Sequence, residues 1–218
     1  MLLSKSPGSR PSLGLRFQLA YKLAQALSDF QSIGWVHQGY RSENVLFLSQ
    51  RGMKDLARDV PYAEPLLFGY GGSRLDSLPS ASLYDDDPDR NLYRHPGRWG
   101  LHPAERFNKL HDIYSLGVLL LEIGYWACIT ELVGKEYRKK GADPIIVRQQ
   151  LLDLAVHPRI SNLVGEVYGG IAALCLRGTT SAFGFEEVRD DKNDSLLQQR
   201  FSEVIVLPLK KATDALLV

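Results

Sequence analysis

The sequence predicts a mainly α-helical domain carrying one small two-stranded β-hairpin. Three observations predict it. Apolar residues recur with helical period at both ends of the chain, and two short apolar runs bracket a polar connector early on. Between the hairpin and the later helices, residues 69–109 are rich in Gly, Pro, Ser and Asp and show no period at all. With 218 residues, 44% hydrophobic and 23% charged, the composition suits one globular domain.

The elements follow in order. Residues 1–12 read as a tail. Leu15, Leu19, Leu23, Ala26, Leu27 and Phe30 stand three or four apart, which predicts an amphipathic helix over 13–32. Pro11 and Ser12 supply its start and Gly34 its stop. A polar loop within "VHQGYRSENVLF" (36–47) runs into an apolar strand at 45–48. The connector "SQRGMKDLARDVPYAE" leads to a second strand at 66–68, completing the hairpin. The segment 69–109 is expected to be loop, and a connection of that length is usually functional or disordered. Helices are expected at 111–127, 144–156, 161–176 and 195–213, with 214–218 as a second tail. The most apolar stretch, "IYSLGVLLLEIGYWACI", is interrupted by Glu122 and two glycines and is short for a membrane span. It reads as a buried core helix, so no membrane span is expected.

The formal net charge of +1 and the scattered cations argue against nucleic acid as a partner. Cys128 and Cys175 form no CxxC pair and sit in apolar stretches, so both are expected as buried, reduced thiols. The opening "MLLSKSPGSRPSLG" lacks the apolar core of a secretory leader. A cytoplasmic location is the expectation.

The loop His37-Gln38-Gly39-Tyr40-Arg41-Ser42-Glu43-Asn44 resembles the catalytic loop of protein kinases, His-Arg-Asp-Leu-x-x-x-Asn. "LYRHPG" at 92–97 resembles the Tyr-Arg-Ala-Pro-Glu motif that closes a kinase activation segment. "HDIYSLGVLLLEIG" at 111–124 resembles the Asp-x-Trp-Ser-x-Gly helix at the centre of the kinase C-terminal lobe. "AALCLRG" at 172–178 sits where kinases carry a late Cys-Leu pair. Weak singly, these motifs fall in the family's order over residues 13–213. The variant is most similar to degenerate kinase-like domains of filamentous fungi, found beside HeLo/prion-inhibition cell-death modules. The resemblance implies a protein-kinase C-terminal-lobe-like fold for 13–213.

Departures from that pattern carry the functional expectation. Gly39 stands where the family places its proton-accepting Asp, and a glycine has no side chain to hold a proton. Gly69 falls where the family places a magnesium-holding Asp, after a connector longer than usual. Arg41 keeps a phosphate-facing cation, and Asn44 matches the second magnesium ligand, a residual candidate for cofactor binding. The resemblance gives His37 and Asp112 architectural roles, packing the loop and bonding its backbone to the central helix. Only a few residues precede the first helix, too few for a nucleotide-binding lobe, so no ATP or magnesium cofactor is expected. If a lobe or partner once covered the first helix, that helix should show an exposed apolar face.

Other motifs read blandly. "FGYGGS" at 68–73 lacks the Lys and helix of a phosphate-binding loop. "DDDPD" at 85–89 lacks a calcium-loop pattern and reads as a solvated charge run. The serines of that loop and Tyr84 are possible targets of another enzyme's phosphorylation. His95, His102 and His111 match no zinc spacing and read as surface or loop histidines. Gly97 replaces a Glu that the family uses as an anchor, so a mobile loop is expected.

The implied function is a non-catalytic, pseudokinase-type regulatory or scaffolding module that binds a protein partner. The alternative is a fragment of a kinase-family enzyme whose nucleotide lobe lies upstream, and which would bind ATP and phosphorylate proteins.

Overall fold

The computed structural model describes residues 10–48, 60–78, 87–100, 103, 105–184 and 191–217. Helix α1 (Leu13–Ser32) opens where Ser12 Oγ accepts the Leu15 N–H at 3.3 Å. It ends at Gly34, whose φ of 79° takes the chain out of the helix. Phe17, Leu19, Ala20, Leu23, Ala24 and Leu27 form its buried face. Arg16 is buried too, and its guanidinium donates to the Gly124 carbonyl at 2.9 Å and the Leu163 carbonyl at 3.1 Å. That spans α1, the end of the central helix and the bundle behind it.

Helices α2 (Pro88–Asn91) and α4 (Ile129–Leu132) are single turns on either side of the central helix α3 (Lys109–Tyr125). All residues of α3 are buried. Asn108 and His111 close its N-terminus reciprocally: Asn108 Oδ1 accepts the Leu110 N–H at 2.9 Å, and His111 Nδ1 accepts the Asn108 N–H at 3.1 Å. Bundle helices α5 (Pro144–Val156), α6 (Pro158–Val164) and α7 (Glu166–Arg177) pack around it. Gly117 permits the α3–α7 crossing, since a Cβ there would stand 2.9 Å from Cys175 Cβ. Helices α8 (Asp191–Phe201) and α9 (Leu207–Leu216) are joined by a π-helical turn, Ser202–Val206. Pro208 lacks an N–H and crowds the carbonyl four residues back, and a wider turn just before it relieves that clash.

The strands form two antiparallel pairs. β2 (Val45–Leu46) pairs with β3 (Leu66–Leu67), Val45 opposite Leu67. β1 (Trp35–Val36) pairs with β4 (Arg74–Leu75), Trp35 opposite Leu75. β1 lies against α1 and α3, whereas Phe47 after β2 packs on Tyr62, whose ring meets that of Trp126 edge-on at the end of α3.

The mainly helical fold with a small antiparallel sheet is therefore found, with corrections in detail. The hairpin strands are two residues long, and the β1–β4 pair was not foreseen. The expected helix 161–176 is two helices, because Gly165 adopts a φ of 88°. The last helix runs through Leu216, so residues 214–216 are not tail. Segment 69–109 is not all loop: it holds β4, α2 and 3-10 turns at Tyr70–Gly72 and Pro96–Arg98. Nor does α1 show an exposed apolar face, since α9 lies along it and α3 packs beneath. Exposed apolar side chains include Leu46, Leu48, Leu66, Phe68 and Tyr70 on and beside β2 and β3, with others such as Ile145, Ile146 and Val167 elsewhere. Cys128 and Cys175 are free and buried. Among the described residues, no helix is long and apolar enough to cross a membrane. Expectations for residues 1–9, Ser80, Ser82, Tyr84, Asp85, Asp86, His102 and Val218 lie outside the described residues.

Glu122 is the buried acid of α3. Its Oε1 accepts from the Tyr93 hydroxyl at 2.7 Å and the Ile129 N–H at 2.9 Å, and Ser42 Oγ lies 2.8 Å from the Tyr93 hydroxyl. Burial pushes this carboxyl up to about 7, partly offset by those bonds. The folded state thus holds a proton that the unfolded chain releases near its ordinary value of 4.5. The associated stability is full below that value and is lost as pH rises toward 7. In urea denaturation, Glu122→Gln should therefore gain on the wild type by up to about 3 kcal/mol between pH 4.5 and 7.5. A constant gap would show that Glu122 stays ionised.

Candidate functional site

Everything at the site hangs from Asp112. This residue is fully buried on the first turn of α3, and its two oxygens accept the His37 N–H at 2.6 Å and the Gln38 N–H at 3.0 Å. Burial pushes its carboxyl up to about 7, while the two backbone bonds pull it back. Gln38, held between them, adopts a φ of 63°, a left-handed conformation that bulky residues rarely take. His37 packs its ring among Phe30, Tyr40 and Tyr70 with centroids 4.9–5.8 Å away. Its Nδ1 accepts the Gly39 N–H at 3.2 Å, and burial pulls the imidazole down to about 4. The Tyr40 hydroxyl donates to the Leu23 carbonyl of α1, and Ser73 Oγ donates to the His37 carbonyl at 3.1 Å.

Asn44 closes the loop. Its Nδ2 donates to the Gly39 carbonyl at 2.7 Å, while its own carbonyl accepts the Phe68 N–H at 2.7 Å. The side chain fills the space over Gly69: a Cβ at that residue would stand 2.2 Å from Asn44 Nδ2, and its φ is already 87°. Gly39 is less confined, with an added Cβ meeting Asn44 Nδ2 at 3.1 Å. Both backbone polar groups of Gly39 hold the turn, and no side chain projects from it. Arg41 lies in an ion pair with Glu43 at 3.0 Å.

Gly39, Arg41, Asn44 and Gly69 open on one cleft of about 360 Å³. Its other wall brings Arg90, Arg94 and Arg98, which the sequence reasoning missed. A signal was present: those arginines recur every four residues in "RNLYRHPGR". The structure thus assembles the expected loop residues with a cationic wall supplied by the segment expected to be loose.

That segment is anchored. Glu105 covers Gly97, where a Cβ would stand 2.5 Å from the Glu105 carboxyl carbon. Glu105 N–H donates to the Gly97 carbonyl at 3.2 Å, and Arg98 Nη1 donates to the Glu105 carbonyl. The Glu105 carboxylate thereby packs over Gly97, and these bonds tie residues 97–98 to residue 105. The reading of the charge run is corrected. Asp87 caps α2 by accepting the Asp89 N–H at 2.9 Å, and Asp89 accepts from the Tyr137 hydroxyl at 2.8 Å while pairing with Arg138.

Nor are His95 and His111 surface histidines: both are buried. Among the described residues, His95, Glu105 and His111 bring three donor atoms within 4.8 Å of one another. The hydrogen bonds speak against a metal there. His111 Nδ1 accepts the Asn108 N–H, so its proton sits on Nε2 and is donated to Glu105 Oε2 at 3.0 Å. His95 Nδ1 accepts the Gly97 N–H at 3.2 Å. Each imidazole lone pair is already used. Burial keeps both rings neutral, His95 down to about 4, and the His111 bond holds the Glu105 carboxyl below its ordinary value. The cluster is a clasp that locks 95–97 onto the start of α3.

"FGYGGS" forms a 3-10 turn that leads into β4. No helix begins there to receive a phosphate.

Residues 3–215 match the profile of a family described as a domain of unknown function, DUF7580. The chain belongs to the DUF7580 family. No curated protein matches it. The match takes in the loop, the cleft, the clasp and α9, so the DUF7580 unit is the whole fold described above rather than one of its parts.

Two substitutions test this arrangement. Asp112→Asn keeps one acceptor but turns an amide toward the second backbone N–H, and should cost about 2 kcal/mol in urea denaturation. The exchange protection of the His37 and Gln38 amides should fall with it. Gly69→Ala should destabilise by more than about 2 kcal/mol, and pairing it with Asn44→Ala should recover the steric part, leaving about 1–2 kcal/mol for the left-handed backbone.

Proposed function

We propose that this DUF7580 domain is a non-catalytic, protein-kinase-like module that regulates or scaffolds by binding a protein partner. One observation carries the reading: Asn44 turns back onto the Gly39 carbonyl and fills the space above Gly69. On the kinase-like reading, positions 39 and 69 would supply the proton-accepting and metal-holding carboxylates. The first position is bare, and the second has no room for a Cβ while Asn44 stands where it does. Phosphoryl transfer depends on positioning and on compensating charge, and these positions contribute neither. What the loop retains is its framework: Asp112 on the loop backbone, His37 in its aromatic packing, and Ser42 linked through Tyr93 to Glu122.

The exposed apolar side chains of Leu46, Leu66, Phe68 and Tyr70 support a partner surface. The proposal includes a cytoplasmic location, supported by the two buried free thiols, and involves neither nucleic acid nor a cofactor.

Incubation of the purified chain with labelled ATP, magnesium and generic protein substrates should give no phosphate incorporation, and ATP with magnesium should leave the melting midpoint unchanged. Incorporation that Asn44→Ala abolishes would overturn the proposal in favour of a kinase-family enzyme.

A further inference from the structure

The cleft beside Gly39 is unusual in its charge. Arg41, Arg90, Arg94 and Arg98 line it, and no Asp or Glu does so among the described residues. Burial foremost, and then the neighbouring Arg94 and Arg74, lower the pKa of Arg98, while Glu105 raises it. Glu43 approaches Arg41 at 3.0 Å and Arg90 at 3.9 Å, but from the mouth, where it is 41% exposed. A solvent-exposed pair of this kind is worth little and yields to a better anion. Arg90 also pairs with Asp87 at 3.5 Å, Arg94 donates to Asn91 Oδ1 at 3.5 Å, and Arg98 donates to the Glu105 carbonyl. A phosphate accepts paired N–H donors from several guanidinium groups at once, which these separate partners do not.

The rim indicates the rest of the ligand. Phe68 and Tyr70 flank Gly69, which lines the cleft, and with Leu66 they expose a strip of 39–50% relative accessibility along β3 and the turn after it. A chain bearing apolar side chains beside an anionic group matches that sequence of surfaces. A nucleotide matches less well, because the aromatic residues inside are already engaged. The Tyr40 hydroxyl is tied to the Leu23 carbonyl and that of Tyr93 to Glu122, both rings are buried, and Phe107 lies beneath the Arg98 guanidinium at 5.7 Å. The aromatic rings left exposed, Phe68 and Tyr70, belong to the strip at the rim rather than to the interior of the cleft.

We infer that this arginine-lined cleft binds the phosphate group of a phosphorylated peptide, with the apolar strip at Leu66, Phe68 and Tyr70 receiving the residues beside it. The inference rests on the non-catalytic, protein-binding reading and names the chemistry of the partner. The phosphate sits among Arg41, Arg94 and Arg98, displacing Glu43 from Arg41. The absence of a side chain at Gly39 keeps the floor of the cleft uncharged.

Fluorescence polarisation of the full chain tests this, using degenerate phosphoserine and phosphotyrosine peptide pools, their unphosphorylated counterparts, inorganic phosphate and ATP without magnesium. One phosphorylated pool should bind at least about tenfold tighter than its counterpart, and millimolar inorganic phosphate should compete. Arg41→Gln and Arg94→Gln should each weaken binding about tenfold with the melting midpoint retained, whereas Arg159→Gln on α6 should change nothing. Gly39→Asp, which places a carboxylate on the floor, should abolish binding. Equal affinity for phosphorylated and plain pools overturns the inference, as does wild-type affinity in the folded arginine variants. ATP binding tighter than either pool also overturns it, by assigning the cleft to nucleotides. If phosphate-dependent binding fails while phosphotransfer is also absent, the inference falls and the non-catalytic reading stands; phosphotransfer would remove that reading itself.

Discussion

Helix α3 has no side facing water, and the rest of the molecule is arranged to meet that constraint. A helix buried all round has to find partners within the protein for its polar groups, because an unpartnered one costs on the order of 1–3 kcal/mol. Of those on α3, Glu122 Oε2 is left without one. The Lys109 carbonyl accepts from Gln31 of α1, Asp112 takes two loop N–H groups, and Ser115 donates to the Tyr93 carbonyl. Glu122 gathers Tyr93 and the start of α4. Each partner comes from a different element, so satisfying α3 also places the loop, the segment around Tyr93 and the neighbouring helices. Its glycines serve the same end, letting α7 and Ile160 approach where a methyl group would intrude.

The candidate site is a consequence of that placement. Asp112 fixes where the His37–Asn44 loop leaves β1, and the His95–Glu105–His111 clasp fixes where Arg94 and Arg98 stand. The two segments are distant in sequence and meet only because both are tied to the N-terminal turn of α3. Between them Asn44 donates to the Gly39 carbonyl and fills the space over Gly69. Arg41 from the loop and Arg90, Arg94 and Arg98 from the later segment line the cleft. Gly39 and Gly69 contribute no side chain there, and a Cβ at Gly69 would collide with Asn44.

Legibility in the sequence followed the range of the interactions. The spans 13–32 and 144–156 agree with α1 and α5, because a cap and a helical period are local properties. The single helix expected at 161–176 was wrong by one residue's conformation: Gly165 carries no side chain to oppose a positive φ, and nothing in the apolar period announces the break. The β1–β4 pair escaped notice because two-residue strands 38 positions apart leave no alternation to read, and their pairing is set by what lies beneath them. The sequence spacing of His95 and His111 matches no metal pattern and points to surface or loop positions. Their actual partner, Glu105, is defined only by how the chain folds over Gly97.

The sequence by itself determined the helical class, the buried apolar helix at the centre, the reduced cysteines and the absence of a side chain at Gly39. These are properties of composition, period and residue identity, and no fold is needed to state them. Tertiary structure alone decided that Asn44 occupies the space over Gly69, that the Glu105 carboxylate covers Gly97, and that four arginines share one cleft. Those outcomes depend on distances between residues far apart in the chain, and such distances exist only once the polar groups of α3 have drawn their partners in.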